Sequence, residues 1–145
     1  MKRIYLDYAA TTPTHPEVLE AMIHLRDRDK GIQERIDHTH LNGHSSRRLP
    51  NNVNVSVDFV VGDSVLLNLD LQGSCASTGS ACSSSSLEPF HVLLAVGLSH
   101  ELALASLRFT LGKWTAEQEI EQVLDVLLRV VAKLRPISQL LKSHG

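Results

Sequence analysis

The sequence predicts an α+β fold in which a small, mainly antiparallel sheet is covered by helices. Two kinds of period predict it. Val53-Asn54-Val55-Ser56-Val57 and Ser106-Leu107-Arg108-Phe109-Thr110-Leu111 alternate apolar and polar residues, as half-buried strands do, whereas Ile120, Val123, Leu124, Leu127, Val131 and Leu134 recur at helical spacing. Strands and helices follow one another with short turns between, an order that layers helices on a shared sheet. At 145 residues the chain is expected to fold as a single domain, 1–145, around one core.

Taken in order, Arg3 to Leu6 reads as a short strand and Asp7-Tyr8-Ala9-Ala10-Thr11-Thr12-Pro13 as a turn-rich linker. Pro16 suits the first position of a helix and Glu17 complements its dipole. With no Gly or Pro before Gly31, that helix is expected to run from Pro16 to about Ile36. Leu25, Ile32 and Ile36 share one face, which also carries Asp29, a carboxylate that must reach solvent at its edge or cost stability.

His38-Thr39-His40-Leu41 reads as a brief strand ending at the turn signal Asn42-Gly43, and Val53 to Val57 as a strand with its valines buried. Gly62-Asp63 starts a helix with Val65, Leu66 and Leu69 inward, joined by Leu67 and Leu71, and Gly73 ends it. Ser74 to Ala76 is a short strand, which puts Cys75 in or beside the core as a small hydrophobe. Glu88-Pro89 opens a further helix that finishes near Gly97, and Glu101 to Ala105 adds a helical turn. In the strand from Ser106 to Leu111, Arg108 points off the face opposite Leu107, Phe109 and Leu111. Thr115 and Gln118 are spaced as a capping box for the last helix, and Pro136 is expected to stop it.

Composition narrows the function. A formal net charge of −2 lacks the basic footprint of a nucleic-acid or anionic-membrane binder. No apolar run approaches the roughly 18 residues of a membrane span, and Asp7 comes too early for the apolar stretch of a signal peptide, so the chain reads as cytoplasmic. Cys75 and Cys82 lack a zinc-type spacing and read as free thiols. The eight histidines show no HExxH pattern; His38, His40 and His44 stand close enough for a weak metal site but read more simply as solvated polar residues, and metal ligands are expected to be none. No GxGxxG or P-loop is present.

One stretch carries chemistry. Ser77-Thr78-Gly79-Ser80-Ala81-Cys82-Ser83-Ser84-Ser85-Ser86 holds a thiol on a tether of small residues that cannot build a core. Such a thiol is open to act as a nucleophile, although a plain serine-rich surface loop has the same composition. The nine residues from Thr78 to Ser86 have a contour of about 30 Å, so the middle of the loop can swing about half that distance from its anchors.

The motifs also follow a known order. Ile4-Tyr5-Leu6-Asp7-Tyr8-Ala9-Ala10-Thr11-Thr12-Pro13 resembles the N-terminal signature of the cysteine desulfurases, pyridoxal-phosphate-dependent enzymes of the class V aminotransferase superfamily. Leu41-Asn42-Gly43, Arg48-Leu49-Pro50-Asn51-Asn52-Val53-Asn54, Ser80-Ala81-Cys82, Ser86-Leu87-Glu88-Pro89 and Leu107-Arg108-Phe109-Thr110-Leu111-Gly112 follow one another as in the C-terminal domain of that family. The resemblance implies the small-domain fold of fold-type I pyridoxal-phosphate enzymes. It also implies sulfur transfer from L-cysteine to an enzyme cysteine, leaving a persulfide and alanine, in iron-sulfur cluster assembly. Cys82 matches the persulfide nucleophile and Arg108 the arginine that grips the substrate carboxylate, a role suited to a bidentate guanidinium.

The departure from the family is equally specific. Residues 1–22 resemble its N-terminal segment and 24–145 its C-terminal part, with a join near Met22 to His24 and most of the large domain absent between them. None of Lys2, Lys30, Lys113, Lys133 and Lys142 stands in the Ser-x-His-Lys setting of the cofactor lysine, so the expectation is that this chain alone binds no pyridoxal phosphate. The expected reading is a truncated desulfurase without turnover of its own. A persulfide-accepting or scaffold-binding module, and half of a split enzyme, are the alternatives. Partners would be an iron-sulfur scaffold protein, a complete desulfurase, or a second copy meeting the exposed former domain interface.

Overall fold

A computed structural model describes residues 4–7, 32–44, 47–49, 51–78, 91–112 and 114–142, with side chains through 139. Its strands are β1 (Ile4–Tyr5), β2 (Thr39–Leu41), β3 (Asn52–Val57), β4 (Ser74–Cys75) and β5 (Ser106–Thr110). Its helices are α1 (Gly62–Leu71), α2 (His91–Ala95), α3 (His100–Leu104) and α4 (Glu117–Lys142), and residues 32–35 form a further helical turn.

The antiparallel sheet has the order β2-β3-β5, with Thr39 opposite Val57, Val55 opposite Leu107 and Val53 opposite Phe109. That register stacks the apolar sets of β3 and β5 on one face, as their alternation predicts. Val55, Val57, Leu107 and Phe109 are buried there with Val65 and Leu69 of α1 and Val123, Leu127 and Val131 of α4. Burying each such side chain is worth about 1.5 to 3 kcal/mol, which makes this layer the main source of stability. α1 is narrower in its inward face than its sequence suggests. Leu67 and Leu71 are 62% and 73% exposed, because only the stripe through Val65 and Leu69 faces α4 and the sheet.

The opposite face of the sheet is also covered. Ser56, Ser106 and Thr110 are buried although the alternation marks them as outward. The hydroxyls of Ser56 and Ser106 find partners there, whereas Thr110 Oγ1 has none among the described residues. Ser56 Oγ donates to Leu102 O of α3 at 2.7 Å, and Asn42 Nδ2 donates to Asn54 Oδ1 at 2.7 Å and to Ser56 Oγ at 2.8 Å. Gly62 marks a close approach beneath this layer: a Cβ there would lie 2.6 Å from Ser106 O and 2.9 Å from Leu104 O.

β1 and β4 form a separate parallel pair, Ile4 opposite Ser74 and Tyr5 opposite Cys75, and Cys75 is half-buried beside the core. Both chains then run onto the edge of β5 that faces away from β3. Thr110 N–H donates to Leu6 O at 2.8 Å; Ser77 and Arg108 exchange backbone hydrogen bonds of 3.1 and 2.6 Å.

Of the expected helix from Pro16, only the end at 32–35 falls within the described residues, where Ile32 and Ile36 are buried and Arg35 Nη2 meets Glu121 Oε2 at 3.0 Å. The opening of the helix at Glu88-Pro89 likewise lies outside them. Its end is as expected, since Gly97 at φ 96° accompanies Leu98 N–H to Leu93 O and Gly97 N–H to Leu94 O, each 3.0 Å, a Schellman closure.

Two expectations about α4 are corrected. The capping pair is Ala116 with Glu119, whose Oε2 accepts from Ala116 N–H at 3.1 Å, while Thr115 Oγ1 turns back to accept from Gly112 N–H at 3.1 Å. Pro136 lies inside the helix, which continues to Lys142. Proline has a helix-compatible φ and removes one hydrogen bond, and Arg135 holds the turn by donating to Asp37 O at 2.8 Å and Asp58 O at 3.3 Å.

Candidate functional site

Alternation in β5 turns Arg108 away from the apolar layer, and the edge pairing of β5 brings two distant side chains to it. Asp7 follows β1 and Ser77 follows β4. Arg108 Nη2 donates to Asp7 Oδ1 at 3.2 Å and to Ser77 Oγ at 3.3 Å. The Arg108 side chain is 22% exposed and that of Asp7 31%. The guanidinium is therefore partly withdrawn from water, where a charge-assisted hydrogen bond counts for more than at a fully solvated surface.

The fork is not fully used. Among the described residues Arg108 Nε is buried without a hydrogen-bond partner, and both contacts of the guanidinium fall on Nη2. A buried donor left unmet costs roughly 1 to 3 kcal/mol, and Arg48 Nη1, Ser74 Oγ and Thr110 Oγ1 are likewise without a hydrogen-bond partner among the described residues. Chemically, the site offers a fixed cation with a hydroxyl and a carboxylate at its side.

Arg108 is thus placed as its strand alternation predicts. Cys82 lies outside the described residues. The segment leading to it starts at Thr78, whose carbonyl accepts from Ser106 Oγ at 3.3 Å at the head of β5. Asp7 and Ser77 were not legible as site residues. Asp7 reads as part of a linker and Ser77 as the first residue of a flexible run; only long-range pairing onto β5 joins them.

The histidines go to separate partners: His40 Nε2 lies 3.1 Å from Asp58 Oδ2, His44 Nδ1 accepts from Arg47 N–H at 3.1 Å, and the His38 ring meets Phe59 edge-on at 5.6 Å. No group of three or more metal-ligating side chains gathers among the described residues. A half-open groove of about 750 Å³ runs past His40, Asp58, Phe59, His100 and Glu101 and does not include Arg108. No helix among the described residues is long and apolar enough to cross a membrane.

Solved structures with this arrangement are NifS-like proteins. One superposes with a TM-score of 0.63 over 82% of this chain and 30% of its own, at 22% identity; another, from Rickettsia africae, gives 0.59 over 77% and 29%, at 21% identity. The architecture is therefore the small-domain fold of the fold-type I enzymes to which these proteins belong. No family model matches the chain. Curated relatives are much nearer in sequence. Cysteine desulfurase IscS of Dictyoglomus turgidum is 52% identical over 121 residues, 83% of this chain, and IscS 1 of Archaeoglobus fulgidus 47% over 116 residues, 80% of this chain. IscS of Clostridium botulinum is 47% identical over 132 residues, 89% of this chain. The chain belongs to the cysteine desulfurase family. It spans 30 to 33% of the length of these relatives.

Proposed function

We propose that this protein is a shortened cysteine desulfurase that keeps the small-domain share of the site, with Arg108 as the group that binds a substrate carboxylate and Cys82 as the sulfur nucleophile, and that does not turn over alone. The observation carrying this reading is the Arg108 guanidinium held by Asp7 and Ser77, its Nε buried and unmet among the described residues, on the edge of β5 where the segment continuing to Cys82 begins. In the family reading, residues 1–22 and 24–145 are joined where the large domain is lost. The chemistry that releases alanine needs an electron sink, which pyridoxal phosphate supplies when bound. The residues present do not fit that group: Lys133 is exposed on α4, and none of the five lysines has the sequence setting of a cofactor lysine.

What remains open to the chain is exchange of sulfur already activated elsewhere. The Cys82 thiolate would attack the outer sulfur of a persulfide held by a complete desulfurase; a new S–S bond forms at Cys82, the donor S–S bond breaks, and the donor leaves as a thiolate. Electrons balance without an added oxidant. The Ser/Gly tether of Cys82 favours this reading over a purely vestigial one. Cytoplasmic location and an iron-sulfur scaffold as the final acceptor belong to the same proposal, and a polypeptide supplying the missing large domain would make the chain half of a split enzyme.

The test uses the purified chain with pyridoxal phosphate and L-cysteine. We expect no cofactor absorbance band and no alanine; release of alanine would overturn the inactive reading. With an active full-length desulfurase and L-cysteine added, the peptide containing Cys82 should gain one sulfur atom by mass spectrometry, and its absence would remove the relay role.

A further inference from the structure

The groove past His40 and Asp58 is walled by a turn held in a costly shape. Phe59 has φ 65° and His38 φ 56°, the left-handed region that a bulky aromatic such as phenylalanine seldom adopts. The two residues are locked to each other: Asp58 N–H donates to His38 O at 3.0 Å, and the two rings meet edge-on at 5.6 Å. Arg135 of α4 fastens both, through the carbonyls of Asp37 and Asp58 that precede them in the chain. Little burial comes back in return. Phe59 stays 38% exposed and Val61 49%, and neither belongs to the core. Strained backbone of this kind clusters at ligand clamps and active sites.

What Phe59 and Val61 wall is a space of about 750 Å³ against Val60 and Leu104, the size of a small-molecule site. Its polar lining is rich in acceptors. His40 Nε2 lies 3.1 Å from Asp58 Oδ2, so that nitrogen carries the proton and Nδ1 of the neutral ring is an acceptor. Asp58 Oδ1 and the Glu101 carboxylate add further acceptors; His100 is the remaining titratable group, and no lysine or arginine lines the groove. Arg135 bonds the Asp58 backbone and not its carboxylate. Among the described residues these groups do not converge closely enough to hold a metal ion. An apolar body that carries its own cation complements such a lining.

We infer that this groove is a binding site for a small organic amine, its apolar body against Phe59, Val61 and Leu104 and its ammonium on the His40–Asp58 pair. The site is separate from Arg108 and uses none of the residues assigned above. Charge sets its selectivity: a neutral ligand of the same shape forgoes the charge-assisted hydrogen bond, and an anionic one meets repulsion from Asp58 and Glu101.

The experiment titrates the full chain, above the ordinary imidazole range, with phenethylamine, phenethyl alcohol and hydrocinnamate, which share a phenylethyl body and differ in charge. Binding is followed by the NMR signals of Phe59 and Val61. Wild type is expected to bind the amine about fivefold more tightly than the alcohol, and the carboxylate most weakly. In Asp58→Asn the preference for the amine should fall to about twofold or less, with the alcohol bound as before. Phe59→Gly removes the ring and the cost of its positive φ together, so amine binding should weaken about fivefold or more while the thermal midpoint holds or rises. Equal binding of amine and alcohol by wild type, binding of neither, a carboxylate held as tightly as the amine, or a preference that survives Asp58→Asn overturns the inference. So does a Phe59→Gly chain that binds the amine as wild type does, or whose midpoint falls, since the ring then serves packing and not a site.

Discussion

Arg108 and Asp7 stand 101 positions apart in the sequence and meet at 3.2 Å, Nη2 to Oδ1, on the edge of β5. The contact exists because Leu6 accepts the backbone N–H of Thr110, which carries the N-terminal strand to the far side of β5. Residues 4–7 are thereby tied to the strand that carries the candidate site.

Removing the Asp7 carboxylate should accordingly cost stability. Asp7→Ala takes one of the two partners that the described residues give this guanidinium, and we expect a loss of about 1 to 2 kcal/mol in urea unfolding monitored by circular dichroism. An unchanged midpoint would mean that water replaces the carboxylate at no cost.

Gly62 should tolerate no side chain. In Gly62→Ala the new methyl would press on two backbone carbonyls, Ser106 O at 2.6 Å and Leu104 O at 2.9 Å, which cannot swing aside as side chains do. The expected destabilisation is about 1 to 3 kcal/mol, read from the same unfolding curves.

Pro136→Ala should act in the opposite direction. It restores a donor inside α4 at an exposed position, and a gain of about 1 to 3 kcal/mol with increased helical ellipticity is expected. A decrease in stability would show that the restriction proline places on the unfolded chain outweighs the missing hydrogen bond.

Leu67 and Leu71 lie one helical turn apart on the solvent side of α1, at 62% and 73% exposure. If the chain self-associates, this ridge should contribute. Sedimentation velocity is expected to show concentration-dependent association that the double substitution Leu67→Glu and Leu71→Glu reduces, with little effect on stability since neither residue belongs to the core. A wild-type monomer at all concentrations would contradict it.

The parts of the fold that depend on neighbours in sequence were legible. Alternation located β3 and β5, the apolar stripe located α4, and glycine marked the ends of α1 and α2. Errors came where a local rule competes with tertiary contacts. Pro136 ends a helix by its own preference, yet Arg135 bonded to two loop carbonyls keeps α4 going. Leu67 and Leu71 are apolar, yet α1 buries only the stripe that meets α4. Ser56 and Ser106 read as solvent-facing until α3 and Thr78 supply acceptors for their hydroxyls.

By itself the sequence determined the fold class, the family, the direction of Arg108 and the place of Cys82 in a Ser/Gly tether, because each is carried by a short run of adjacent residues. Only the tertiary structure decided what surrounds Arg108. Asp7 and Ser77 reach it through single backbone pairings onto the outer edge of β5, and pairing between distant strands leaves no period in the sequence from which partners could be read.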